Sequence, residues 1–161
     1  MKWTLFPLLM LPGALAGAYD LQISIPGREP IVMTMEQLKS ELPATQFTTE
    51  LPWLPEGETA TFRGFTVFDL IAHLKVTNIK SATFTALNDY KAAAPYDDLE
   101  HYKPIIAYSM DGEPMKIRDK GPFWLLYDLT RYPNIDTPDY HTKMVWQIKE
   151  ISLSYHDITT E

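Results

Sequence analysis

The sequence predicts an α+β domain on three observations. Short runs alternate apolar and polar residues, only a few stretches carry helical spacing, and the two kinds follow no regular strand-helix-strand rhythm. Leu21, Ile23 and Ile25 share one face of an alternating run that closes at Pro26-Gly27, which reads as a strand and a turn. After Ile31-Val32-Met33, Thr34 and Gln37 have capping-box spacing, so a short helix runs to about Ser40 and stops near Pro43. Thr45 to Glu50, rich in threonine, reads as a strand, and a proline-punctuated loop from Leu51 to Gly57 leads into another at Thr59 to Arg63. Thr66 caps the clearest helix, in which Val67, Leu70, Ile71 and Leu74 repeat at helical spacing.

Beyond that helix the pattern returns to strands. Ala82, Phe84 and Ala86 oppose Thr83, Thr85 and Leu87, Asn88-Asp89 turns the chain, and Tyr90 to Ala94 runs back. Asp97-Asp98-Leu99 starts one helical turn, Ile105 to Ser109 is a strand, Asp111-Gly112 a turn, and Phe123 to Tyr127 a bulky run suited to a buried strand. A polar loop from Asp128 to His141 precedes a closing apolar run, Met144 to Leu153.

Residues 1–18 read as a cleavable secretory signal: Lys2 near the start, an apolar stretch over Leu5 to Leu11, then Pro12-Gly13 and the small residues Ala14 to Ala18. The apolar stretch is shorter than the ~20 residues of a spanning helix. Cleavage after Ala16 or Ala18 fits, with Ala18 preferred, which makes 19–161 one mature domain expected to be soluble and periplasmic. Loss of Lys2 takes the formal net charge from −7 to −8, which disfavours nucleic acid and anionic membrane as partners. The chain has no cysteine, so thiol redox chemistry and thiolate-ligated metals are excluded.

No catalytic motif stands out. His73, His101, His141 and His156 are scattered without metal-ligand spacing, and glycine-rich phosphate loops and Gly-x-Ser-x-Gly are absent. The adjacent Asp97 and Asp98 read as a solvated helix start. The unusual segment is Met110 to Tyr127, where two turns enclose Arg118, Asp119 and Lys120 ahead of Trp124 and Tyr127. A flat indole beside fixed donors and acceptors suits a planar heterocycle. The bland reading puts Trp124 in the core and the charges in a solvated loop, and on the residues alone it has the edge.

In order along the chain, Phe62-Arg63-Gly64-Phe65, Thr83 to Tyr90, Asp111-Gly112-Glu113-Pro114-Met115, Arg118-Asp119-Lys120-Gly121-Pro122-x-Trp124-Leu125 and Trp146-Gln147-Ile148-x-x-Ile151 resemble the oxidoreductase molybdopterin-binding domain of sulfite oxidase and its bacterial relatives. The resemblance covers nearly all of residues 19–161 and implies an α+β, sulfite-oxidase molybdopterin-binding-like fold with mixed β-sheets and short helices, holding a pterin-bearing cofactor between loops. In the catalytic relatives a strand-end cysteine ligates molybdenum, whereas the corresponding stretch here, Gln46 to Glu50, holds Thr48 and Thr49. A hydroxyl cannot replace thiolate donation. Arginines are few (Arg28, Arg63, Arg118, Arg131), so the phosphate clamps of the large enzymes are not evident.

Short exported members without the cysteine are similar to periplasmic pterin-binding sensors of the PruR type. The resemblance therefore implies a non-molybdenum, unphosphorylated pterin as ligand, no metal, and, as partner, the periplasmic domain of an inner-membrane enzyme that makes or degrades cyclic di-GMP. The expected pterin site comprises Trp124 for stacking, Arg118, Asp119 and Lys120 at the polar edge, Thr48 and Thr49 in the vacated ligand position, and Tyr90 and Tyr108, for which core packing is the favoured alternative. Two other readings stay open: a molybdenum-cofactor oxidoreductase with atypical ligation, and a relict domain that only docks to a partner.

Overall fold

The computed structural model describes residues 19–157; the expected leader lies outside them. Two sheets carry the fold. The first is built from β1 (Leu21–Ser24), β2 (Ile31–Met33), β5 (Ile79–Ala86), β6 (Lys91–Pro95) and β10 (Ile148–Tyr155), in the order β2-β1-β10-β5-β6. It is mixed: β1 runs parallel to β10, with Ile23 opposite Ile151, and its other pairings are antiparallel. The second sheet is antiparallel and contains β3 (Thr45–Glu50), β4 (Thr59–Thr66), β7 (Ile105–Met110) and β8 (Glu113–Pro114) in that order, with β9 (Trp124–Leu126) also paired to β7.

Strand alternation places Leu21 and Ile23 inside and leaves Gln22 and Ser24 partly exposed, and one continuous apolar core runs from these residues to Phe62, Phe84, Trp124 and Ile151. The core has little tolerance where β4 meets β7, because a Cβ at Gly64 would collide with the Ile106 carbonyl.

The helices begin where local chemistry specifies. In α1 (Met35–Glu41) the Gln37 amide donates to Thr34 Oγ1 at 3.1 Å while the Thr34 amide donates back to Gln37 Oε1 at 2.9 Å, the reciprocal capping box. In α2 (Val67–His73) the Asp69 amide donates to Thr66 Oγ1 at 2.9 Å, and Val67, Leu70 and Ile71 are buried. α3 (Tyr96–His101) packs against β5 and β6 through Leu99.

Two expectations need correction. The stretch expected as a polar loop, Asp128 to His141, contains a 3-10 turn at Pro133–Ile135 and the start of a helix, α4 (Pro138–Lys143). None of the α4 residues is fully buried, so no apolar periodicity marks it; it packs against β6 and is tied to α3 by Tyr140 Oη donating to Asp98 Oδ2 at 3.0 Å.

The apolar run from Met144 is also not one element. Gln147 adopts φ 53°, so the chain bends there and β10 starts only at Ile148. Residues before the bend belong to the second sheet: Trp146 bridges Trp124, and the Leu125 amide donates to the Val145 carbonyl at 2.8 Å. At the bend, the Leu87 amide donates to the Gln147 carbonyl at 2.9 Å, extending the β5–β10 pairing of the first sheet. This link stitches the two sheets together. No helix among the described residues is long and apolar enough to cross a membrane.

Candidate functional site

A hollow of about 340 Å³ opens beside this link, within the size range of small-molecule pockets. Trp53, from the loop after β3, forms one wall; Met144, Val145 and Trp146 form another; Ala86, Asn88 and Tyr90, around the β5–β6 turn, face His141 and Thr142 of α4. The lining is mostly apolar, with polar groups at the rim.

The aromatic residues brace one another edge to face. Trp53 lies 5.6 Å from the Trp124 ring, 5.6 Å from Trp146 and 5.9 Å from His141, centroid to centroid. Trp53 and Trp146 are only half-buried, so both retain indole surface for a guest. Polar contacts hold the rim. Tyr90 Oη donates to the Thr142 carbonyl at 2.7 Å, joining the turn to α4, and the Tyr90 amide donates to Asn88 Oδ1 at 3.1 Å. His141 Nε2 lies 2.6 Å from Asp136 Oδ1. In the turn itself, Lys149 Nζ donates to Asp89 Oδ1 at 2.6 Å and holds that carboxyl below its ordinary range.

The expected site residues distribute unevenly around this geometry. Trp124 is 2% exposed, its indole N–H donates to the Met144 carbonyl at 3.1 Å, and Phe62 and Trp53 pack edge-on against it. It supports the hollow from beneath, and the indole surface that a ring could stack on belongs to Trp146 and Trp53 instead. Lys120 does reach the site region, with Nζ 4.7 Å from the centroid of Trp146 and 5.7 Å from that of Trp124. Tyr90 lines the hollow directly.

The other expected residues lie elsewhere. Arg118 and Asp119 sit exposed on the 3-10 turn Ile117–Asp119, 3.6 Å from each other, and neither lines the hollow. Tyr108 belongs to a different surface depression, with Lys39 Nζ 4.8 Å above its ring. Thr48 is exposed and bonds across the strand pair to Thr61 at 2.7 Å. Thr49 is fully buried: its hydroxyl donates to the Glu50 carbonyl at 3.1 Å and accepts the Thr130 amide at 3.2 Å, tying β3 to the loop after β9.

Residues absent from the expected set, Trp53, His141 and Trp146 above all, build most of the hollow. Trp53 carried a signal that could have been used, since a tryptophan between two prolines in a loop has no periodic partner to bury it. His141 carried none, because the opposite side of the hollow, Trp53, Ala86, Asn88 and Tyr90, comes from distant positions.

The sequence matches, over residues 10–127, the family described as the oxidoreductase molybdopterin binding domain. The chain belongs to this family. Among solved structures, the fold is similar to that of the sulfane dehydrogenase SoxCD from Paracoccus pantotrophus, with a TM-score of 0.63 at 15% identity, covering 88% of this chain and 39% of that one. The chain thus spans well under half of that protein, and the likeness concerns the fold. No curated protein matches the sequence. The architecture is therefore the sulfite-oxidase-like, molybdopterin-binding α+β fold that the sequence motifs imply.

The residues present do not fit the metal-bearing form of the family's cofactor. The chain offers no thiolate, and the Thr49 hydroxyl is buried and committed to Glu50 and Thr130. The lining of the hollow contains no arginine to clamp a phosphate.

Proposed function

We propose that this chain is an exported pterin-binding sensor without chemistry of its own, whose ligand state regulates a membrane-anchored cyclic-di-GMP synthase or phosphodiesterase through that enzyme's periplasmic domain. The observation that carries this reading is the hollow walled by two half-buried indoles in a molybdopterin-binding fold that has no cysteine. A flat, uncharged bicycle can stack there for about 1–3 kcal/mol per aromatic contact, without requiring a thiolate or a phosphate clamp. Lys120, poised over Trp146, adds a fixed positive charge beside the stacking surface. The leader expected from the sequence would deliver the chain to the compartment in which such a partner domain is met, and the acidic composition favours a protein partner over nucleic acid.

The deciding experiment is mass spectrometry of small molecules released from protein purified out of its native compartment, paired with metal analysis. A pterin in stoichiometric amount without molybdenum is the expected result, and stoichiometric molybdenum would overturn the reading. Pterin-dependent output from a co-expressed cyclic-di-GMP enzyme tests the regulatory half.

A further inference from the structure

The walls of the hollow are apolar, so what it selects among flat molecules depends on the polar atoms that remain free. Most are committed. The Tyr90 hydroxyl proton goes to the Thr142 carbonyl at 2.7 Å, the Thr142 hydroxyl donates to the Asp139 carbonyl at 2.7 Å, and Asn88 Oδ1 takes the Tyr90 amide at 3.1 Å. The lone pairs that the Tyr90 and Thr142 hydroxyls and Asn88 Oδ1 retain sit on exposed rim residues, and the indoles of Trp53 and Trp146 offer N–H donors.

His141 is different. Its Nε2 lies 2.6 Å from Asp136 Oδ1, and a carboxylate only accepts hydrogen bonds, so the proton of the neutral imidazole must sit on Nε2. Nδ1 is then a lone-pair acceptor, and among the described residues no donor reaches it. The ring is three-quarters covered, braced against Trp53 at 5.9 Å, and lines the hollow.

We infer that His141 is the recognition group of the hollow, accepting through Nδ1 a hydrogen bond from a ring N–H or amino group on the edge of a planar heterocycle, with Asp136 as the positioning residue that fixes its tautomer. The ligand class is thereby narrowed to flat heterocycles with a donor edge. Flat bicycles without an N–H can stack but leave Nδ1 unpaired, at a cost comparable to one lost hydrogen bond. This inference rests on the proposed binding role of the same hollow.

Ligand-free full-length mature protein, titrated with pterin and with quinoxaline, a flat bicycle lacking any N–H, tests it by fluorescence or calorimetry. Wild type should prefer pterin by roughly tenfold or more. His141→Phe, which keeps a flat ring against Trp53, should lose that preference, with pterin binding more weakly and quinoxaline at least as tightly as to wild type, because no acceptor is left unpaired. His141→Asn, whose side-chain oxygen can stand near Nδ1, should recover part of it. Asp136→Asn should also narrow the preference, because an amide can donate to Nε2 and turn Nδ1 into a donor. An unchanged preference in both His141→Phe and Asp136→Asn would overturn the inference while leaving the binding role intact. Failure of wild type to bind either compound would overturn the binding role and the inference together.

Discussion

Two aromatic clusters flank α4, and they use their rings in opposite ways. The tryptophan cluster sets Trp124 underneath and turns Trp53 and Trp146 toward an open hollow, with the buried indole N–H satisfied by Met144. The tyrosine cluster closes on itself. Tyr102 packs edge-on against Tyr132, Tyr140 and Tyr127 at 5.0, 5.8 and 6.2 Å, and Tyr127 against Tyr140 at 5.3 Å. Tyr127 is fully buried and its hydroxyl is the one buried side-chain polar atom without a partner among the described residues. Burial, and then the nearby Asp98 charge, push its ionisation well above the ordinary tyrosine range. Similar rings therefore yield a binding surface in one case and a core with a polar defect in the other. The difference lies in what the neighbours leave uncovered.

Removing the indole that underlies the hollow should have the largest effect. Trp124→Ala deletes a buried ring and strands the Met144 carbonyl, so urea denaturation should show a loss of about 3–5 kcal/mol, the cost of emptying a large core site. A variant with a near-native midpoint would mean that Trp124 is not the floor of the cluster. Trp146→Ala, by contrast, should lower pterin affinity by about 1–3 kcal/mol, with a smaller stability loss than Trp124→Ala because Trp146 is only half-buried. Affinity equal to wild type in the folded variant would remove Trp146 from the site.

The tyrosine cluster should respond with the opposite sign. Tyr127→Phe removes an unpaired hydroxyl and should leave stability unchanged or raise it by about 1 kcal/mol. The same variant carries a pH signature. Since the folded-state ionisation of Tyr127 is raised above the ordinary value of 10.0, the unfolded chain releases this proton first as pH climbs past that value. The folded state then holds the extra proton, and stability falls with rising pH by up to about 1.4 kcal/mol per pH unit from this group. Denaturation midpoints measured from pH 9 to 11 should decline less steeply in Tyr127→Phe than in wild type; parallel profiles would show that the hydroxyl is not as isolated as its surroundings indicate. The smallest effect is expected of Tyr90→Phe, which breaks an exposed hydrogen bond to Thr142 and should shift stability by no more than about 0.5 kcal/mol. A larger loss would make that bond a structural tie between the two walls of the hollow.

Local chemistry was legible along most of the chain. Thr34 with Gln37 and Thr66 with Asp69 started helices where capping preferences say they must, since a hydroxyl that satisfies an orphan amide acts within a few residues and needs no tertiary context. Alternation in Leu21 to Ile25, and at Ala82, Phe84 and Ala86, likewise set side chains that face the core, although Thr85 between them is buried too. The lack of a thiolate is a property of composition, and it excluded thiol-dependent chemistry before any geometry was known. The helix α4 escaped because its residues stay at the surface and Thr137 makes no side-chain cap, so only packing on β6 and the Tyr140–Asp98 bond specify it.

The site itself was decided by tertiary structure. Trp53, Trp124 and Trp146 are chemically the same residue; the bulky run around Trp124 marks it for a buried strand, but nothing in the linear sequence gives Trp53 and Trp146 the role of walls around one hollow. The bend at Gln147, the Trp124–Trp146 bridge and the loop bearing Trp53 assign those roles, because burial depends on which distant segments arrive to cover a ring. The same holds for His141, an isolated histidine in the linear chain that becomes a directed acceptor only when Asp136 and Trp53 close around it. A side chain's type sets what it can do, and the free atoms left after packing set what it does.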